Sequence, residues 1–339
     1  MSIFLPKPHK LTQPIPVAIV GATGVVGQRL LVLCQQTPWI TVVQVASSSK
    51  RNGLFFGDTC PWRDTSPMPE AMRRVTCCTM DEVSAPYILS CLPSDIAQEW
   101  EPKWATRGQH VFSNASTFRM DQNVPLLVPE INADHIQLIK NQTTQGKIIT
   151  NPNCSATGIA LALAPIMEQS ALDHASIVTM QSVSGAGYPG ISSLDILGNT
   201  IPDIPGEAPK IAQELKKILG TAHTAAHFNA TVTVHRVPVL YGHVATLHIM
   251  LQQPLSGAQI TELYNQWNVR LGYDLFVCHT SADRPQAQKD LTMNDMRIHI
   301  GPIGQGGKPH IVQVTILSHN LVRGAAGAVL SNLACYLAH

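Results

Sequence analysis

The chain contains no Cys-x-x-Cys pair, although its 339 residues include eight cysteines, at 34, 60, 77, 78, 91, 154, 278 and 335. Without paired spacing a structural zinc site has little support, and nothing resembles the cysteine framework of a small secreted domain. Apart from Cys154 the cysteines read as reduced, mostly buried thiols. No His-Glu-x-x-His motif or other convincing ligand set occurs, so no metal is expected. The longest helix-like apolar stretch, Gly158 to Met167, falls well short of the roughly 20 residues that span a bilayer. The N-terminal MSIFLPKPHKLTQPIP carries prolines and lysines in place of the continuous apolar core of a secretory signal. A cytoplasmic protein with no membrane partner is the expectation. There is also no long basic stripe, and 23 Lys+Arg against 22 Asp+Glu leave a net charge of +1, which argues against nucleic acid. Internal repeats and low-complexity tracts are lacking too.

What is present suits a folded protein. Hydrophobic residues make up 45% and charged residues 13%, enough apolar surface for collapse and enough length for two domains. The first clear unit is the apolar run Pro16 to Val20, the turn Gly21-Ala22-Thr23-Gly24-Val25-Val26-Gly27, a helical pattern from Gln28 to Gln36, and a β-rich run from Ile40 to Ala46. Strand, glycine turn, helix and strand make a βαβ unit, whose right-handed crossover implies a parallel sheet. Further strands are expected at Tyr87 to Cys91, His110 to Phe112, Leu126 to Val128 and Lys147 to Thr150, with helix around Trp100 to Arg107. Asn52 to Arg74, rich in Gly, Pro and Trp, reads as a long connection.

The character changes at Asn151-Pro152-Asn153-Cys154-Ser155. A helix from about Ala156 to Met167 is followed by strand candidates at Ser176 to Val183, Ala230 to Val239, His243 to Met250 and His310 to Ser318. Their mixed polar and apolar content predicts an antiparallel or mixed sheet with one face exposed. Helices are expected at Lys210 to Leu219 and over the Ala-rich tail, Gly324 to Leu337. The fold class is therefore α/β joined to α+β: a dinucleotide domain and a second domain carrying the chemistry.

Gly21, Gly24 and Gly27 lie between a strand and a helix, the context that gives a glycine fingerprint meaning. The first glycine permits the tight turn, and the others let backbone approach a pyrophosphate at the positive end of a helix. An NAD site usually has an acid at the end of the second strand. Here Ala46 is followed by Ser47-Ser48-Ser49-Lys50-Arg51, with no acid before Asp58. Hydroxyls and cations suit the extra phosphate of NADP, though an exposed polar turn would use the same residues. Expected cofactor contacts are Gly21, Thr23, Gly24, Val25, Val26, Gly27, Ser47, Ser49, Lys50 and Arg51.

Cys154 follows a strand and a proline turn and immediately precedes a helix, where N–H groups and the dipole stabilise a thiolate. His243, in a Gly-His turn, offers an imidazole suited to proton transfer, and Arg236 upstream offers a fork for a carboxylate. Glu207 and Lys210 open a helix and suit a cationic and an anionic group; alternatively Lys210, Glu214 and Lys217 pair along its surface.

Taken in order, GATGVVG at Gly21 to Gly27, SNASTFR ending at Arg119, VPEIN from Val128, NPNCS around Cys154, QSVSGAGYPG from Gln181, LDILGNTIPDIPGE from Leu194, RVPVLYGH from Arg236, DRPQ from Asp283 and NLVRGAAG from Asn320 span nearly the whole chain. This series resembles the aspartate-β-semialdehyde dehydrogenases, especially their archaeal and fungal branch. The resemblance implies a Rossmann-like domain over 1–152, completed by a returning helix over 322–339. It also implies a glyceraldehyde-3-phosphate-dehydrogenase-like catalytic and oligomerisation domain over 153–321, in a homodimer or homotetramer. It implies Cys154 as nucleophile and His243 as acid/base, with Gln181 positioning the substrate. Arg236 would bind the α-carboxylate and Glu207 the amino group, while Lys210 and Arg119 receive phosphate. Asn153 and Asn320 would face the acyl or nicotinamide region.

The implied reaction converts L-4-aspartyl phosphate and NADPH to L-aspartate 4-semialdehyde, NADP+ and inorganic phosphate, in the aspartate pathway toward lysine, threonine and methionine. Thiolate attack on the acyl phosphate and loss of phosphate give a thioester, which hydride then reduces. Backbone or Asn153 donors would stabilise the oxyanion, and His243 would assist proton transfer. The chain departs from the family pattern at His235, Tyr241 and Val244, at Ala208-Pro209 after the substrate-helix glutamate, and in the loop Ser49 to Gly53. Malonyl-CoA reductase and N-acetyl-γ-glutamyl-phosphate reductase share the thioester chemistry. Arg236 with Glu207 favours a substrate bearing both carboxylate and amino group. A non-catalytic nucleotide sensor would leave Cys154, His243, Arg236, Glu207 and Lys210 unexplained.

Overall fold

The computed structural model describes residues 8 and 11–339, apart from the side chain of Ser49. Most of the segment weighed above as a targeting sequence, residues 1–7, 9 and 10, lies outside the described residues. The chain divides into two compact units: Met1–Pro129, Ala133–Pro152 and Ala325–His339 form the first, Glu130–Asn132 and Asn153–Gly324 the second. Among the described residues no helix is long and apolar enough to cross a membrane.

The first unit holds six parallel strands: β1 Ile15–Val20, β2 Ile40–Ala46, β3 Cys77–Cys78, β4 Tyr87–Ser90, β5 His110–Ser113 and β6 Ile148–Thr150. Their order, β3-β2-β1-β4-β5-β6, is that of the Rossmann fold, with the direction of winding reversing between β1 and β4. A crevice at the carboxyl ends of the strands follows from that reversal. The expected strand at Leu126 to Val128 does not form; only Leu126 bridges Thr150. Pro125 and Pro129 flank it and lack N–H donors, and Pro129 already begins the short helix Pro129–Asn132. The tail helix, Gly327–Ala338, packs on this sheet, with Tyr336 edge-on to Phe112 and Asn332 reaching Thr150 O.

The long connection after β2 is tied down by two buried side chains of helix Val25–Gln35. Gln28 donates to the carbonyls of Thr23 and Pro61 and accepts from the N–H groups of Arg63 and Asp64. Arg29 meets Asp64 at 2.9 Å, the two side chains 1% and 4% exposed. Two polar side chains of one helix thus hold a connection that also buries Phe56, Cys60 and Met72.

The second unit is built on a mixed seven-stranded sheet: β7 Leu172–Ser182, β8 Asn229–Val237, β9 His243–Leu251, β10 Phe276–Cys278, β11 Ile298–Ile300, β12 Gly304–Gln305 and β13 Ile311–Ser318. β7 pairs parallel with β8 and antiparallel with β9, which continues antiparallel to β13. Burial alternates along β7 and β9, as expected when one face packs on the core. Helix Cys154–Met167 packs against β13, β9 and β7, and its residues from Ser155 to Ile166 are all buried. That explains an apolar composition with little sidedness: a helix surrounded by its own domain needs no polar face.

Arg29→Met leaves Asp64 buried without its cation and is expected to cost about 3–5 kcal/mol. Urea unfolding of the variant beside wild type checks this; a loss within about 0.5 kcal/mol would mean that the loop is held by other contacts.

Candidate active site

The nucleophile candidate lies entirely within the second unit. Asn153 is the N-cap of helix Cys154–Met167, its side-chain oxygen accepting from Ser155 N at 2.8 Å and Ala156 N at 3.2 Å. Cys154 is consequently the first helical residue, at the positive end of the helix dipole, which favours a thiolate. The cap is held from outside by two carboxylates of helix Glu207–Ile218. Glu214 accepts from Asn153 N at 2.6 Å, and Glu207 accepts from Asn153 Nδ2 at 2.7 Å. Sequence reasoning treated Glu214 as surface charge, but its side chain turns inward and is 2% exposed. From the other side Gly324 presses on the nucleophile: a methyl group there would lie 2.5 Å from Cys154 Cβ.

His243 opens β9 after Gly242, whose φ of +95° makes the turn that a side chain would strain. Its Nε2 is 3.2 Å from Cys154 Sγ. Burial, then the nearby Arg236 cation and His319, push the imidazole pKa down to about 3, so the ring is neutral at physiological pH. Arg236 sits on β8 opposite Gln181 of β7. Its Nη1 donates to Ser182 O at 2.8 Å, whereas its Nε is buried and makes no hydrogen bond among the described residues. Desolvation lowers its pKa, while Cys154 and Glu207 act in the opposite sense. A buried guanidinium with an unused N–H is suited to an incoming carboxylate. Gly185 is the small residue between Arg236 and His243, since a methyl group there would meet both side chains.

Other expected residues divide by location. Gln181 is buried and donates weakly to Thr179 Oγ1. Lys210 is exposed one turn beyond Glu207. Asn320 accepts from Gly242 N and donates to Ser184 Oγ, both at 2.9 Å. Of the residues departing from the family pattern, Tyr241 stacks on His319 with ring centres 5.5 Å apart, and His235 lies 3.3 Å from Thr179 O. Arg119 belongs to the first unit, its Nη2 donating to Asn114 O at 2.7 Å.

The glycine turn of the first unit is fixed by backbone packing. Gly21 has a φ of +74°, donates to Ala46 O at the end of β2, and leaves no room for a side chain against Cys91 O, 2.6 Å from the hypothetical methyl. Gly27 is equally confined by Gly21 O and Ala22. Gly24 is the N-cap, and Val25 and Val26 begin the helix. Thr23 gives its carbonyl to Gln28. After β2, Ser47 is buried, Lys50 is exposed, and Arg51 donates to Ser48 Oγ at 3.1 Å and Thr59 O at 3.3 Å. The expected Ser49 contact falls on a side chain outside the described residues. A glycine turn at a helix start, with two cations after β2, fits a dinucleotide carrying an additional phosphate.

Two family models match: semialdehyde dehydrogenase, NAD binding domain, over residues 16–139, and semialdehyde dehydrogenase, dimerisation domain, over residues 163–323. An aspartate-semialdehyde dehydrogenase of Archaeoglobus fulgidus is 36% identical over 93% of this chain and 96% of its own length. The chain belongs to the aspartate-semialdehyde dehydrogenase family. Its fold is that of the family, a Rossmann-like domain with a glyceraldehyde-3-phosphate-dehydrogenase-like catalytic domain. The crystal structure of the Candida albicans enzyme with NADP superposes with a TM-score of 0.85 at 27% identity, covering 94% of this chain and 98% of that one. A malonyl CoA reductase (NADP) of Metallosphaera sedula is also similar, 29% identical over 94% of this chain and 95% of its own length. The dimerisation match makes the protein oligomeric in general terms.

Gly324→Ala should displace Cys154 and lower kcat/KM about 100-fold, the scale expected when a reacting group moves by about 1 Å. Steady-state kinetics with a parallel measurement of dinucleotide binding checks this; unchanged turnover would show that the nucleophile tolerates the crowding.

Proposed function

We infer that this member of the family carries the family's activity: it is an NADP-dependent aspartate-semialdehyde dehydrogenase, an oxidoreductase of amino-acid biosynthesis. It converts L-4-aspartyl phosphate to L-aspartate 4-semialdehyde with release of inorganic phosphate. The observation that carries the assignment of roles is the 3.2 Å approach of Cys154 Sγ to His243 Nε2 beside the unused Nε of Arg236. Cys154 attacks the acyl carbon, expelling phosphate and leaving a thioester. Arg236 takes the α-carboxylate and Glu207 the ammonium, which fixes the acyl carbon over the sulfur, with Gln181 helping to orient it. Asn153 acts by holding both the nucleophile turn and Glu207, since its two side-chain atoms are already engaged. Lys210 and Arg119 receive phosphate.

NADP bound at the Gly21–Gly27 turn, with Thr23, Val25, Val26, Ser47, Ser49, Lys50 and Arg51 around it, supplies hydride in the biosynthetic direction. Asn320 supports the nicotinamide-facing side of the site. Assembly as a homodimer or homotetramer and a cytoplasmic location belong to the same proposal.

Purified protein should oxidise aspartate semialdehyde in a phosphate-dependent reaction with NADP+ in preference to NAD+, and Cys154→Ala should nearly abolish it. Efficient reduction of malonyl-CoA without semialdehyde turnover would move the substrate assignment to the malonyl-CoA reductases while keeping the thioester. Reduction of N-acetylglutamyl phosphate alone would do the same for an acylated amine, a substrate with no ammonium for Glu207.

Arg236→Ala is expected to lower kcat/KM for aspartate semialdehyde about 100-fold, as loss of one partner of a buried charge pair does. An unchanged kcat/KM would reject its carboxylate role.

A further inference from the structure

At the β10 edge of the second sheet three potential ligands come together from separate elements. His279 follows β10, and His299 lies in the middle of its parallel neighbour β11. The crossover between them includes the short helix Ala287–Asp290, whose last residue turns back toward both histidines. His279 Nε2 is 3.1 Å from His299 Nδ1 and 3.9 Å from Asp290 Oδ1, and one donor atom from each of the three residues lies within 4.8 Å of the others. Metal–ligand bonds of about 2.0–2.1 Å give a tetrahedral site edges of about 3.3 Å, between the two shorter separations. No short motif unites these residues, so the sequence alone raises no expectation of a metal.

His299 is held as a ligand by the group behind it. Its Nε2 is 3.2 Å from Asp295 Oδ2. Asp295 accepts from Arg297 Nε at 2.9 Å and from Arg297 Nη2 at 2.8 Å, a pairing that keeps it a carboxylate, able only to accept. In the neutral ring the His299 hydrogen therefore lies on Nε2, and the Nδ1 lone pair faces His279. A carboxylate behind an imidazole is the arrangement that orients metal-binding histidines and raises their basicity. The side chains of Asp290 and His299 are each 3% exposed, whereas His279, at 16%, leaves one side open to water.

We propose that His279, Asp290 and His299 form a site for a divalent transition metal of the zinc type, with water as the fourth ligand, which clips the β10–β11 crossover to the sheet. This goes beyond the function proposed above and does not depend on it. Two imidazoles and one carboxylate suit Zn2+, whereas Mg2+ and Ca2+ take oxygen ligands. Without metal, His279 Nε2 donates its hydrogen to His299 Nδ1; with metal that hydrogen moves to His279 Nδ1, and both lone pairs meet the cation. Arg284 is the competing partner. Its Nε donates to Asp290 Oδ2 at 2.8 Å, beside Gln286 N at 2.6 Å, and its Nη2 contacts Oδ1. The Arg284 side chain is 29% exposed, so Nη2 can turn to water and yield Oδ1 while the bonds to Oδ2 remain. Two carboxylates and two guanidinium groups surround the histidines, Asp290 with Arg284 and Asp295 with Arg297, so the metal enters a pocket of balanced charge. Ala287 and Leu291 also pack beneath Gly242, so the clip braces the floor of the turn before His243.

The test uses the full-length protein, stripped with a chelator and then titrated with Co2+ and Zn2+. One Co2+ per chain should bind with the strong visible absorption of a four-coordinate nitrogen and oxygen site, without thiolate-to-cobalt charge transfer, and Zn2+ should displace it. At a Zn2+ concentration roughly 100 times Kd, the thermal unfolding midpoint should rise by about 5 °C. His279→Gln and His299→Gln should each weaken Zn2+ binding about 100-fold and abolish the rise, with dinucleotide binding as the check that each variant is folded. His279 is the less buried of the two, so its variant keeps the test decisive if His299→Gln fails to fold. Arg284→Gln, which removes the competing cation, should tighten binding. A charge-transfer band would place the metal on a cysteine and overturn the proposal. A wild type that binds neither metal, or binds them equally well after His279→Gln, would also overturn it and leave His279, His299 and Asp295 as a hydrogen-bonded chain.

Discussion

The proposed acyl site hangs from one capped turn. Asn153 uses its side-chain oxygen to close the start of helix Cys154–Met167, its side-chain nitrogen to reach Glu207, and its backbone N–H to reach Glu214. These bonds place Cys154 at a helix start while Gly324 fixes it from behind. The deeply buried helix behind it cannot tilt without disturbing the core. The Cys154 sulfur is thereby attached to a helix that is buried from Ser155 to Ile166.

The electrostatics follow from that placement. Arg236 is desolvated with an N–H unspent, and it helps to keep His243 uncharged. A fixed cation beside a neutral imidazole makes the site receptive to a carboxylate without neutralising the sulfur in advance. In the first unit, selection works by exclusion. Gly21 and Gly27 leave no space for a side chain, so only glycine lets the turn pack this closely on Cys91 and Ala22.

Much of this was legible in the sequence because it is local. The glycine turn, the helix start at Cys154 and the turn before His243 are short-range patterns, and each sits where its chemistry placed it. What was illegible depends on partners far along the chain. Glu214 has lysines at helical spacing and reads as surface charge, yet an N–H 61 residues away draws it inside. Ser182, at the end of an expected strand, and Ser184 read as ordinary polar residues until the fold brings them beside His243. Cys77–Cys78, Phe276–Cys278 and Ile298–Ile300 are too short to show a period, though each is a full member of its sheet. Helix Gly257–Leu271 did carry a signal, the Ser256 and Gln259 capping box, that a search for apolar periodicity passes over.

Glu207 and Glu214 stand seven residues apart, two turns of one rigid helix, and both end on the same asparagine. Whatever draws Glu207 toward a bound cation is therefore delivered mechanically to the peptide that carries the sulfur. In the proposed reaction, ligand discrimination and the aim of the nucleophile would share a single lever arm. An analogue lacking the positive group would leave that lever unloaded, and its penalty would be felt in bond making as well as in occupancy.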